Sequence, residues 1–117
     1  MIDTVYTYLI NTTKSIIDGY TESLPPDETL AAVYRITGGT TSKSLKKSRQ
    51  YTIYPVNVLV RGNQNSKELV DICDSMVTAL DLDQTGVIIT SVTSEPQFAF
   101  TDDNGNLVYT FSVQVTI

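Results

Sequence analysis

Along MIDTVYTYLINTTKSIIDGY, apolar residues fall at Ile2, Val5, Tyr6, Leu9, Ile10, Ile16, Ile17 and Tyr20. That is the spacing of one helical face, with Thr13 as its weak position. Gly19 and then Leu24-Pro25-Pro26 predict the end of this helix, because proline lacks a backbone donor and restricts the residue before it. LAAVYRIT, residues 30–37, places Leu30, Ala32, Tyr34 and Ile36 on one side of a strand. QYTIYPVNVLVRG is a stronger strand signal, with Tyr54, Val56, Val58 and Val60 sharing a face and Thr52 extending it. Pro55 cannot donate to a ladder and predicts an edge or a bulge within that strand.

Gly62-Asn63-Gln64-Asn65 reads as a turn, with Asn65 or Ser66 able to cap a second helix and Glu68 placed as in a capping box. That helix carries Leu69, Ile72, Cys73, Met76, Val77 and Leu80 inward and Glu68, Asp71, Ser75 and Thr78 outward. VIITSV opens a third strand, interrupted near Ser94-Glu95-Pro96 and resumed as QFAF. TDDNGN predicts a hairpin turn, since Asn-Gly supplies the positive φ angles that tight turns need. The last strand alternates cleanly, Leu107, Tyr109, Phe111, Val113, Val115 and Ile117 against Val108, Thr110, Ser112, Gln114 and Thr116. The predicted fold is α+β, a mainly antiparallel four-stranded sheet with two helices on one face, in the order α-β-β-α-β-β.

Composition narrows the function classes. The chain has 117 residues, 41% of them hydrophobic and 18% charged, the range of one globular domain spanning 1–117. No run approaches the ~18 apolar residues of a membrane helix, and the N-terminus lacks the basic start and cleavage site of a secretory signal. A protein made and kept in a cytoplasm, with no membrane partner, is the expectation. Cys73 is the one cysteine and there is no histidine, which excludes an intrachain disulfide, the usual zinc and haem sites, and histidine-based catalysis. No catalytic residue, cofactor or metal site is expected, and the chain is expected not to be an enzyme. The formal net charge of −5 disfavours DNA binding by the body of the protein.

Against that acidity stands TGGTTSKSLKKSRQY, residues 37–51, which holds Lys43, Lys46, Lys47 and Arg49. It is not a P-loop, because Ser42 occupies the position of the glycine before the lysine and a strand follows where a helix should begin. A solvated, flexible hairpin loop is the bland reading. Its length favours an interaction arm, docking on the acidic surface of an identical neighbour or facing the phosphates of a passing duplex. Asp71 and Asp74, on the second helix, are candidate complements within such a contact, although a solvated helix face is the usual fate of such carboxylates. Asp81 and Asp83 follow them with no activating partner in view. The DDNG turn lacks the distal glutamate and flanking helices of a calcium loop, and Cys73 reads as a small buried hydrophobe.

The closing segment SEPQFAFTDDNGNLVYTFSVQVTI resembles the ends of small tail-completion and minor capsid proteins of tailed bacteriophages. The leading helix, the two strands joined by a long loop, and RGNQNSKELVDICDSM as turn and second helix agree with that layout over nearly the whole chain. The resemblance implies a structural virion protein of the tail terminator type, assembled in the bacterial host cytoplasm. It implies a homo-oligomer, a hexameric ring that caps the tail tube and joins it to the head connector, with a passing contact to DNA in the lumen. Residues 38–50 then correspond to the loop that meets lumen, tube or neighbour, and no catalytic residue is carried over. The other reading of the same residues is a small α+β binding or regulatory domain holding an anionic ligand at the basic loop 38–50.

Overall fold

The computed structural model describes residues 2–21, 30–38, 40–43, 50–62, 66–81, 83–85 and 88–117. Helix α1 spans Ile2–Thr13, followed by strands β1 (Gly19–Thr21), β2 (Ala31–Ile36), β3 (Thr40–Lys43) and β4 (Gln50–Gly62). Helix α2 spans Ser66–Leu80, and strands β5 (Asp83–Thr85), β6 (Ile88–Thr101) and β7 (Leu107–Thr116) complete the chain. The α+β class and the two helices are as expected. The sheet is not: among the described residues it has seven strands in the order β1-β2-β4-β7-β6-β5, with β3 paired to β4 off that path. It is mixed, since β1 runs parallel to β2. Three short strands of three or four residues account for the difference. Segments so short carry too few alternating positions for a period-two signal.

Both helices lie against one face, α2 over β4, β6 and β7 and α1 beside β1 and β2. Val5, Tyr8 and Leu9 from α1 meet Leu69, Cys73, Met76 and Leu80 from α2 above Val56, Val58, Val60, Phe111, Val113 and Val115. This is the face that period-two alternation in β4 and β7 assigns to the core. Burial of this apolar surface is the main stabilising term. Cys73 is fully buried, and burial first, then the Asp74 charge, pushes its thiol up to about 12. It behaves as a hydrophobe. The protein is long along its strands, with extents of 53 × 23 × 21 Å.

The first helix is shorter than its stripe. It ends at Thr13, and Ile16 N and Ile17 N both donate to Thr13 O in the turn that follows. Ile17 stays buried and Tyr20 belongs to β1. Apolar positions past the end therefore continue the periodicity without continuing the helix. Thr13 is completely buried, and its hydroxyl donates to Leu9 O at 2.9 Å. With that hydrogen committed, the Tyr34 hydroxyl donates to Thr13 Oγ1. Burial pushes the Tyr34 phenol up to about 12. A polar position in the apolar stripe is thus satisfied inside the core rather than exposed.

Gly19 sits against the same ring. A Cβ there would lie 2.7 Å from Tyr34 Cε2 and 3.1 Å from Ile10 Cγ1, so β1 can approach β2 at this point only without a side chain.

Candidate assembly surface

The basic segment is built as a β-arm. β2 and β3 run in the same direction along the same edge of β4, β2 pairing with residues 56–61 and β3 with residues 50–53. Between Ile36↔Val56 and Thr40↔Ile53 the edge chain advances four residues while β4 advances three. The two ladders are therefore out of step by one residue. Pro55 stands at this seam. Its carbonyl accepts from Thr37 N at 2.9 Å and from Thr37 Oγ1 at 3.2 Å. The ring nitrogen faces the same side, so the reciprocal bond of a Thr37–Pro55 pair, which would need a donor on residue 55, cannot form.

The expectation of a loop across residues 38–50 does not hold at either described end of that segment. Thr40–Lys43 are strand, paired through Lys43↔Gln50. Glycine and hydroxyl residues obscured this, because Thr-Thr-Ser has strand propensity but no apolar face. On the other side of β4, Thr52 and Ile117 exchange both backbone hydrogen bonds at 3.0 Å, and β7 ends there. The β3–β4 ladder continues beyond Thr52, through Ser42↔Tyr51 to Lys43↔Gln50. Lys43 closes the described part of the arm, while Lys46, Lys47 and Arg49 lie outside the described residues, as does Asn65 of the anticipated helix cap.

Asp71 and Asp74 are both exposed on α2, a different element from the arm. Asp81 serves the sheet locally. Its Oδ1 accepts from Val92 N at 3.1 Å, covering a donor on β6 just beyond the reach of β5. A shallow depression where α1 begins is lined by Asp3, Thr4, Thr7, Tyr8 and Ile88. It offers one carboxylate.

The opposite edge was not singled out from the sequence. β5 covers only Ile88–Thr90 of β6, so the outer edge of β6 from Ser91 onward has no strand beside it among the described residues. The anticipated interruption at Ser94-Glu95-Pro96 is not a break. β6 runs continuously to Thr101, with register shifts between Val92 and Ser94, Ser94 and Gln97, and Phe98 and Phe100. Ser94 Oγ accepts from Ser112 N at 2.9 Å, a hydrogen bond standing in for the disturbed ladder.

The last shift has a consequence for side chains. Phe98 pairs with Tyr109 and Phe100 with Val108. Adjacent residues of β7 face opposite ways, so the two phenylalanines straddle the edge, one on each face of the sheet. A regular strand would put both on one face. Phe98 meets Tyr109 edge to face, with ring centroids 5.7 Å apart. Both phenylalanines are nonetheless about half exposed, 53% and 47%. QFAF was the available signal, but alternation alone conceals a bulge.

The hairpin beyond them is a β-turn. Gly105 N donates to Asp102 O at 3.0 Å, Asp102 N donates to Asn106 O at 2.9 Å, and Gly105 has φ +81°. The positive angle is at Gly105, and the turn spans more than the Asn-Gly pair. Asp102 Oδ1 accepts from Asn104 N at 3.0 Å and Asn106 N at 2.8 Å. Desolvation raises the pKa of this carboxyl, but the hydrogen bonds from Asn106 and Asn104 and the charge of Arg61 outweigh it and leave it lowered.

With this geometry in place, comparison with known proteins separates fold from ancestry. A chain of the virion of a native gene transfer agent particle matches with a TM-score of 0.54, covering 92% of this chain and 82% of that chain, at 7% sequence identity. The fold is shared. No protein-family model matches the sequence, and no curated protein matches it. At this identity the likeness shows how the chain is arranged, helices and sheet over nearly its full length.

Proposed function

We propose that this protein is a structural component of a phage-like virion, of the tail terminator or neck type, acting by self-assembly and docking rather than by catalysis. The observation that carries the reading is the fold likeness to a virion chain over 92% of the sequence. The β3–β4 arm supports it, since it is a paired extension of the sheet with basic residues at and beyond its described end. In a ring each subunit engages two neighbours and the tube end, so contacts that are weak singly act together. Lys43, Lys46, Lys47 and Arg49 are the arm's charges, and Asp71 and Asp74 on α2 stand as one acidic acceptor for them. A hexameric ring joining the tail tube to the head connector is the assembly this reading specifies.

Binding to isolated phage tail tubes, read by co-sedimentation and electron microscopy, tests it. Density capping one end of the tube, lost when Lys43, Lys46, Lys47 and Arg49 are all replaced by glutamate, is the expected result. A protein that never joins tubes or connectors would refute the virion role.

A further inference from the structure

The sheet is divided by charge. Residues 31–62, which form β2, β3 and β4, carry Arg35, Lys43, Lys46, Lys47, Arg49 and Arg61 and no acidic residue. Residues 81–117, which form β5, β6 and β7, carry Asp81, Asp83, Glu95, Asp102 and Asp103 and no basic residue. The order β1-β2-β4-β7-β6-β5, with β3 beside β4, sets the basic strands toward one side of the sheet, next to the uncharged β1, and the acidic strands toward the other. A sheet polarised in this way opposes like-edge contacts and favours the contact of unlike edges.

We infer that the outer edge of β6 is the docking site for the outer edge of β3 in a second copy of this chain, since β1 already covers residues 32–34 of β2. Phe98 and Phe100 lie on opposite faces of that edge and are half exposed. An edge strand received between them covers both rings, which supplies the aromatic anchor that charges alone lack. Glu95 and Asp103, both exposed, flank the pair. Pro96 and the register shifts on either side of Ser94 interrupt the edge before Gln97, so contact is confined to the stretch around Gln97–Thr101. The inference rests on the assembly reading for its biological setting and names the surface that closes the assembly. It makes the β6 edge, rather than Asp71 and Asp74, the principal acceptor, because α2 presents carboxylates at those positions without exposed large apolar side chains.

A contact between unlike edges has a signature that a symmetric dimer lacks. One variant removes the acidic edge (Glu95→Lys, Phe98→Ser, Phe100→Ser) and another reverses the basic charge of β3 and the residues that follow it in the chain (Lys43→Glu, Lys46→Glu, Lys47→Glu). In sedimentation velocity at low salt, the native protein is expected to form multimers that dissociate as salt rises. Each variant alone is expected to sediment as a monomer, and an equimolar mixture as a dimer, since one intact contact remains. A native protein that stays monomeric at the highest attainable concentration overturns the inference, as does a mixture that stays monomeric. Loss of association in Asp71→Lys/Asp74→Lys alone also overturns it, by assigning the acceptor to α2.

Circular dichroism checks each fold. If the acidic-edge triple variant unfolds, Glu95→Arg/Asp103→Arg takes its place, since it removes no apolar contact. Tail-tube binding is read separately. Tube capping without contact through these edges sinks this inference alone, while association through these edges without tube binding sinks the virion role alone.

Discussion

Strand β7 is bordered by two ladders of different character. On one side β4 pairs with it through ten consecutive positions, from Ile53↔Thr116 to Gly62↔Leu107, without a shift. On the other, β6 pairs with it over a similar span with three shifts. The regular ladder joins two strands whose alternate residues, Val56, Val58 and Val60 against Phe111, Val113 and Val115, are buried under the helices. Slipping either by one residue would exchange its apolar face for its polar one. Over Thr90–Gln97, β6 is TSVTSEPQ, in which hydroxyl-bearing residues are close to interchangeable between faces. Register there is weakly fixed by burial, so bulges are tolerated. What the edge lacks in regularity it gains in the placement of Phe98 and Phe100.

This contrast can be broken most severely at Phe111. Phe111→Ala, beneath the helices, is expected to cost about 3–5 kcal/mol, measured as a lower urea midpoint with an unchanged slope. A cost near that of a surface substitution would mean the regular ladder is not the stabilising one. Gly19→Ala comes next, at about 1–3 kcal/mol for forcing a methyl into a packed site. Tyr34 is held through its hydroxyl and has little room to yield, and a thermal melt indistinguishable from the native one would show that β1 can move away.

The same phenylalanine-to-alanine change on the irregular ladder should be mild. Phe98→Ala forfeits chiefly its edge-to-face contact with Tyr109, about 0.5–1.5 kcal/mol. Equal denaturant midpoints for Phe98→Ala and Phe111→Ala would erase the distinction between the two ladders. The smallest effect is at the turn. The folded-state pKa of Asp102 is lowered, so its carboxylate contributes stability that is present above the unfolded pKa, about 3.9. That contribution is lost as pH falls through the lower folded value. Asp102→Ala should therefore lower the melting temperature slightly at neutral pH and converge with the native protein at strongly acid pH. A gap that persists unchanged in acid would assign the effect to something other than ionisation.

The buried centre of the fold was largely legible. Period-two alternation in β4 and β7 and the stripe of α2 assigned the residues that form the core, because each of these elements has one face under apolar cover. Elements whose faces are not so distinguished were read poorly. β1, β3 and β5 are too short to show a period, and the Ile16-Ile17-Tyr20 stripe continued past the helix because a turn can bury the same side. Tyr8 was overlooked as a core residue although it stands three residues after Val5 on the same helical face, where it is only 7% exposed. The strand pairing at the start of the charged segment was hidden in threonines. The edge aromatics depend on a register shift, and register is a property of two strands together.

Pro55 divides β4 mechanically without cutting it. Facing β2 and β3, the thirteen-residue strand carries two ladders in series, one belonging to the body and one to the arm, with the proline where they meet. Facing β7, the pairing runs straight through Pro55↔Gln114. The joint is splinted on one side only, which gives it a preferred direction of bending. A cantilever anchored this way resists shear along the sheet while yielding out of its plane, so its stiffness is set by the strand beside it more than by the strand that forms it.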